Sequence, residues 1–350
     1  MSGKSVLIGI SGGVDSAVAA HRLQKQGYHV EGLYIYNGYP TRAEEDAVHV
    51  AEILSIPLHR IDISNQFKED IVHHFITEYS EARTPNPCIV CNKKIKFACL
   101  LDEAQKRGLA GIATGHYARV ENLGGLNGLR LRRGVDRNKD QTYFLFMLGQ
   151  QELKRLLLPN GMLLKEDVKK IGVELGLSSV TEQESQEICF IPDDDYKRFI
   201  EQAHVFQPGD IINTRGEIVG SHRGIHSLTI GQRRGLNIAS ERPYYVVEIR
   251  KETNQVIVGR EEEQHSFGLV ARNVSWISPE YSKTDRLRTR TYIRYRHRGV
   301  ESDVRIMDEK TVTVSFDVPQ KAVAPGQAAV FYEGDILIGG GWIDKGLRHG

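Results

Sequence analysis

The sequence predicts an α/β protein, a doubly wound parallel sheet followed by two small β-rich or β-barrel domains. Two observations carry this. Strand-like and helix-like segments alternate over the first 115 residues. After Gln207-Pro208-Gly209-Asp210 the texture changes to short β-type runs separated by turn residues. At 350 residues the chain is also too long for one ordinary core.

The alternation begins with VLIGI (6–10), a continuous apolar run of the kind buried on both faces of a parallel sheet. SAVAAHRLQKQ (16–26) reads as a helix closed by Gly27. HVEGLYIY, AEEDAVHVAEILS, LHRIDI and NQFKEDIVHHFITEYS continue as strand, helix, strand and helix, and NKKIKFACLLDEAQKRG and LAGIATG add another helix and strand. Repeats of this length specify a sheet covered on both sides. From about residue 140 to 205 the pattern is helical, as in QELKRLLL and KEDVKKIGVELG; beyond it come DIINTRGEIVG, YYVVEIR, QVIVGR, LVARNVSWI, VRIMD, TVTVSF and DILIGGGWI. Boundaries near 206 and 268 give units 1–205, 206–267 and 268–350.

Composition excludes several classes. No apolar run approaches the roughly 20 residues of a membrane span, and the start has no secretory signal pattern, so a cytoplasmic protein with no membrane partner is expected. Four cysteines do not make a disulfide framework. With 46 basic and 45 acidic side chains the net charge is +1, so nucleic-acid binding requires local patches.

Strand 6–10 runs through SGGVDS (11–16) straight into a helix. Gly12 and Gly13 permit a tight turn whose N–H groups face a ligand, and the helix N-terminus adds aligned donors and partial positive charge. Ser11 and Ser16 can donate hydrogen bonds; Asp15 can cap the helix or approach a magnesium ion. A plain Gly-rich turn is the bland alternative. The GKS at 3–5 precedes the strand and is no Walker loop. SGGVDS in this setting resembles the pyrophosphate-binding loop of the ATP pyrophosphatases, which implies ATP.

TPNPCIVCNKKIKF (84–97) sets two cysteines three apart behind two prolines. The prolines hold Thr84 and Asn86 extended, so a helix is expected from about Cys91 or Asn92. A thiol there, near Lys93, Lys94 and Lys96, is expected to favour its thiolate. Zinc binding lacks a second CxxC pair; a redox pair and incidental thiols remain alternatives. Cys99 reads as a packed core residue, and Cys189 lies in SQEICFIPDDDY between Ile188 and Phe190.

SGGVDS, TPNPCIVCNKKIKF, TGHYAR (114–119), KDQTYFLF (139–146), SQEICF (185–190) and TIGQRRGL (229–236), in this order, together resemble the tRNA-specific 2-thiouridylases of bacteria and mitochondria. The likeness runs from residue 6 to about 340. It implies ATP-dependent conversion of the wobble uridine of glutamate, glutamine and lysine tRNAs to 2-thiouridine, with tRNA and a sulfur donor (a cysteine desulfurase, a relay protein or sulfide) as partners. Carried over by motif, Gly9, Ile10, Ser11, Gly12, Gly13, Val14, Asp15 and Ser16 would bind ATP with Mg2+, and Ile35 and Gly115 would touch the nucleotide. Asn86, Pro87 and Cys88 would hold the target base. Cys91 and Cys189 would be catalytic, Cys189 as the persulfide carrier. His116, Lys139, Asp140, Gln141, Arg294, Tyr295 and Gln327 would contact tRNA. Cys88 stands where one common form of the family has Asp, so Cys88, Cys91 and Cys189 are also an alternative ligand set for a [4Fe–4S] cluster. YNGYPT (36–41) departs from the family's usual tryptophan-containing stretch at the adenine side.

KTDRLRTRTYIRYRHR (283–298) carries seven Lys or Arg. Read as one strand, Arg286, Arg288, Arg290, Arg294, Arg296 and Arg298 share a face, with Tyr295 on the other. That face is expected to meet RNA phosphates rather than to serve as a solvated surface. GLNG (125–128) is read as a turn, and Asp193–Asp195 as a helix cap. A ligase of the same ATP-using class would leave the thiols without roles; a non-catalytic RNA-binding or iron–sulfur sensing protein would leave SGGVDS without one.

Overall fold

The computed structural model describes residues 4–39, 41–122, 128–177, 188–191, 193 and 195–348. Residues 125–127 of GLNG and 185–187 of SQEICF lie outside the described residues.

The first 160 residues build β1 (Ser5–Gly9), α1 (Val14–Lys25), β2 (His29–Tyr36), α2 (Ala43–Leu54), β3 (Leu58–Asp62), β4 (Gly111–Ala113), a hairpin of β5 (Ala118–Asn122) and β6 (Leu129–Arg133), and β7 (Leu156–Leu157). Between β3 and β4 lie two helical runs, each widened in its middle by a π turn: Lys68–His73 in the first, Asn92–Phe97 in the second. β3, β2, β1, β4 and β7 lie side by side in that order, all parallel. The apolar run 6–10 is central because it is buried on both faces. Val6 and Ile8 pack with α1 and α2, while Leu7 and Leu33 pack with Ile89, Phe97 and Leu100. β2 and β4 flank β1 on opposite sides, so the order reverses at the carboxyl end of β1, where open α/β sheets place their ligands.

The sequence pattern misassigned one element here. QELKRLLL gives a single helical turn, Gln150–Leu153, and then the edge strand β7. Leu156 pairs beside Ile112 and buries its side chain there. A short leucine run satisfies a buried strand as readily as a helix.

A four-stranded sheet follows: β8 (Gly209–Asn213), β9 (Ile218–His222), β10 (Tyr245–Arg250) and β11 (Gln255–Gly259), in the order β10-β11-β8-β9. The last unit is β12 (His265–Trp276), β13 (Arg286–Tyr292), β14 (Val300–Asp308), β15 (Thr311–Lys321), β16 (Ala328–Glu333) and β17 (Ile336–Leu347). These six close through a β12–β17 pairing into a barrel. The hairpin β5–β6 adds to this barrel at β17, with Leu337 opposite Leu131. The α/β region and the barrel therefore share one sheet.

The segment leading to the thiols is held by both β units. The Thr84 amide donates to Pro325 O at 2.8 Å, Gln327 Nε2 donates to Thr84 O at 2.9 Å, and the Thr84 and Thr229 hydroxyls lie 3.3 Å apart. Gly326 has φ +87°, and a Cβ there would lie 2.8 Å from the Thr84 nitrogen, so only glycine allows this approach. Among the described residues, no helix is long and apolar enough to cross a membrane.

Phe190 anchors the chain on the far side of the site. It is 1% exposed and meets Phe67, Phe75 and Phe199 at ring-centroid distances of 5.7, 5.4 and 5.5 Å. Phe190→Ala is expected to lower stability by about 3–5 kcal/mol in urea unfolding, and to speed alkylation of the adjacent Cys189.

Candidate active site

The loop after β1 ends in a helix whose first N–H groups meet no hydrogen-bond acceptor among the described residues. Gly13 is the N-cap of α1 and supplies no side-chain cap; the first helical hydrogen bond runs from Ala17 N to Gly13 O. Ser16 Oγ donates to Gly13 O at 2.8 Å and accepts from Ser11 N at 3.3 Å, which draws the loop into a cradle. Gly12 has φ +81°, and a Cβ on it would lie 2.6 Å from Ala43 O. Gly115 presses on the other side: its Cβ would lie 2.7 Å from the Asp15 carbonyl carbon. Gly9 and Ile10 lead into the loop from the sheet, Ile10 and Val14 being buried. Ile35 is half-buried at the carboxyl end of β2, paired with Ile61.

Asp15 does not cap the helix. Its carboxylate accepts from Lys165 Nζ at 2.7 and 2.8 Å and from the Tyr117 hydroxyl at 2.7 Å. Asn160, fully buried, donates to Asp15 O at 2.8 Å and to Gly115 O at 3.2 Å. Lys165 and Asn160 were not singled out in the sequence. The one available signal is that Lys165 opens the helix Lys165–Glu174, where the macrodipole disfavours a cation unless its charge is used elsewhere.

The cysteine helix starts at Pro87, a full turn earlier than the sequence suggested. Asn86 is extended, as the following proline requires, and Pro87 takes the first helical position with its φ preset. Cys88 thus sits in the first turn and Cys91 one turn in. The expected thiolate bias is also absent. Lys93 binds Glu152 at 2.6 Å and Lys94 binds Asp70 at 2.9 Å, which leaves Lys96 to act on the sulfurs. Burial pushes the Cys91 thiol up to about 12, with Lys96 opposing it, and raises Cys88 and Cys189 as well. Protein surrounds Cys88 and Cys189 on most sides, yet both remain open to solvent. All three thiols feel one another electrostatically, and Asn37 Nδ2 lies 3.8 Å from Cys189 Sγ. The divergent YNG stretch therefore faces a sulfur. Cys99 is half-buried against the aromatic cluster.

Among the described residues, no three His, Cys, Asp or Glu side chains converge closely enough to hold a metal ion. Neither a magnesium cage around Asp15 nor a three-thiol cluster cage is preformed.

The positions assigned to tRNA fall into two kinds. Several are engaged internally. Asp140 accepts from Gly134 N at 3.1 Å and Thr142 Oγ1 at 2.8 Å; Gln141 Oε1 accepts from Tyr117 N at 3.0 Å; Gln327 holds Thr84. His116 bonds Thr114 at 2.8 Å through Nδ1 and stacks on Phe97. Burial, helped by Lys96, lowers its pKa to about 3, so its ring is neutral. Others face outward. β13 ends at Tyr292, and Arg294 and Tyr295 sit exposed on the turn beyond it, not on a continuing strand. Tyr295 packs on Phe144 at 4.4 Å, which brings this turn beside the segment that begins with Lys139. The arginine ladder is a correction. Arg286, Arg288 and Arg290 do share an exposed face, but Arg286 pairs with Asp303 at 2.6 Å, Arg288 with Asp317 at 2.8 Å and Arg290 with Glu301 at 3.7 Å. Cross-strand carboxylates neutralise it.

Comparison with known proteins agrees with this arrangement. Residues 4–193 match the tRNA methyl transferase HUP domain family, 197–260 the tRNA methyl transferase PRC-barrel domain family, and 266–343 the aminomethyltransferase beta-barrel domain family. The chain is 49% identical over 340 residues to tRNA-specific 2-thiouridylase MnmA 2 of Syntrophus aciditrophicus, covering 91% of this chain and 99% of that protein. It is 43% identical to tRNA-specific 2-thiouridylase MnmA of Syntrophotalea carbinolica (97% and 98% covered) and 41% identical to that of Carboxydothermus hydrogenoformans (98% of each). With all three domain families in order and this identity over nearly its whole length, the chain belongs to the tRNA-specific 2-thiouridylases, the enzymes that act as tRNA-uridine 2-sulfurtransferases.

Proposed function

We propose that the protein binds ATP at the loop Gly9–Ser16 and uses it to activate the wobble uridine of glutamate, glutamine and lysine tRNAs for sulfur transfer. The observation that carries this reading is that an uncapped helix N-terminus and Cys189 both lie at the carboxyl edge of one parallel sheet, Cys189 against Asn37 just beyond β2, with Cys91 within electrostatic reach of it. ATP phosphates suit the free N–H groups of the loop. A magnesium ion entering with ATP would rest on the phosphates themselves, since Asp15 is committed to Lys165.

The C2 oxygen of uracil leaves poorly. Its attack on the α-phosphorus of ATP expels pyrophosphate and turns it into part of AMP. The terminal sulfur of a persulfide on Cys189 then bonds to C2, and AMP departs. Cys91 attacks the Cys189 sulfur, the S–S bond breaks with its electrons on the transferred sulfur, and a Cys91–Cys189 disulfide remains for an external reductant to open. A desulfurase, a relay protein or sulfide with an oxidant would recharge Cys189. The base must leave its stack to reach this edge, which favours an anticodon loop. Asn86, Pro87 and Cys88 border that position, with Ile35 and Gly115 beside the nucleotide and Lys139, Arg294 and Tyr295 toward the RNA.

Incubation with unmodified glutamate tRNA, ATP and a cysteine desulfurase system, read by nucleoside mass spectrometry, is expected to give 2-thiouridine. Cys91→Ala and Cys189→Ala should give none, yet still release tRNA-dependent pyrophosphate, because adenylation precedes sulfur chemistry. Cys88→Ala should retain at least about half of the product, by the logic that removing a group outside the reacting set changes little; its loss would favour the cluster route. His116 makes a separate prediction. Its folded pKa is about 3 against 6.5 for the free side chain, so the unfolded chain binds the extra proton. Its contribution to stability is therefore intact above pH 6.5 and is lost as pH falls from there toward 3. Urea unfolding at pH 7 and pH 5 should show a smaller loss for His116→Asn than for the unaltered protein.

A further inference from the structure

The loop TIGQRRGL (229–236) belongs to none of the sites described above, yet it is built with care. Thr229 N donates to Gln232 Oε1 at 3.1 Å, Gln232 Nε2 donates to Arg234 O at 2.9 Å, and Gln232 N donates to Thr229 O at 3.0 Å. Gly231 N and Gln232 O bond Val246 at 2.8 and 3.0 Å, which fixes the loop to β10. Gly231 has φ +88° and rests on the barrel; a Cβ there would lie 2.3 Å from the Ala322 Cβ. One Gln side chain thus presets the backbone that carries Arg233 and Arg234. Both arginines are exposed, and neither makes an ion pair within 4.0 Å among the described residues; Arg233 acts on Glu261 only from a distance, that carboxylate being held by Lys321 at 2.5 Å.

Its placement gives the charge a meaning. At one end, the Thr229 hydroxyl meets Thr84, four residues before Cys88. Two residues on, Gly231 rests on Ala322, the neighbour of Lys321, whose carbonyl receives Arg294 at 3.5 Å. The loop that carries Arg233 and Arg234 therefore touches the thiol segment at Thr84 and the barrel beside the residue that holds Arg294. The β13 arginines, by contrast, are spent on Asp303, Asp317 and Glu301. We propose that Arg233 and Arg234 form a further RNA-binding site, a preorganised lip that grips backbone phosphates of the tRNA beside the flipped base. The inference rests on the tRNA reading above and extends it to the middle domain. A preset loop loses little freedom on binding, and the guanidinium fork suits phosphate.

The test is binding of unmodified glutamate tRNA to the full-length protein by fluorescence anisotropy between about 50 and 200 mM KCl, a range over which phosphate contacts dominate the salt response. For Arg233→Gln/Arg234→Gln we expect Kd to rise about tenfold and the slope of log K against log salt to fall by about 1.5, since each lost phosphate contact removes roughly 0.7–0.9. The comparison variant Arg286→Gln/Arg288→Gln should move neither quantity. An unchanged Kd and slope for the loop variant, with normal binding by the unaltered protein, would overturn the lip alone, as would an equal shift in both variants. Failure of the unaltered protein to bind tRNA would overturn the tRNA reading and the lip with it.

Discussion

A phosphate can approach the start of α1 only if the negative side chain placed there is neutralised. Asp15 is the second residue of that helix, and a free carboxylate at that depth would repel ATP. The Lys165 ammonium and the Tyr117 hydroxyl occupy both its oxygens. Asn160 ties the Asp15 carbonyl to Gly115. The knot leaves the local charge near zero and locks the loop between β1, the 114–117 segment and the helix at 165. Everything nearer the substrate depends on it: the cradle of Ser11 and Ser16 keeps its shape because the helix beneath it cannot rotate.

The thiols obey a related logic. A thiol kept for a single reaction gains from being protonated at rest, because a standing thiolate oxidises or metallates first. Burial supplies that restraint at Cys91, and Lys96 works against it without cancelling it. The π turn Asn92–Phe97 explains how Lys96 reaches the sulfurs. In a π turn the carbonyl of residue i accepts from residue i+5, so residues five apart come round to one face; Cys91 and Lys96 are five apart.

Much of this was legible in the sequence, for identifiable reasons. Continuous apolar strands, the Gly-rich turn and the change of texture after Asp210 each reflect local physics that tertiary context does not reverse. The misreadings arose where local rules allow two answers. Pro87 reads as a breaker and serves as a helix start; LLL reads as helix and pairs as β7. The arginine ladder kept its alternation but lost its charge, because Asp303, Glu301 and Asp317 sit on other strands and only sheet register brings them opposite. The contacts of Lys165 and Asn160 escaped for the same reason: about 150 residues separate them from Asp15, and a cation at a helix start says that its charge is used elsewhere but not where.

The three units meet at one short stretch of backbone. Glu81 pairs with Lys251 of the middle domain, Arg83 reaches Ile343 O of the barrel at 3.1 Å, and Thr84 is held from both sides. The consequence is positional: Pro85 and Pro87 fix two of the φ angles between Thr84 and Cys88, so contacts that hold Thr84 also set where Cys88 begins its helix. The thiol loop therefore takes its place from the middle domain and the barrel together, and a change in either would be felt there.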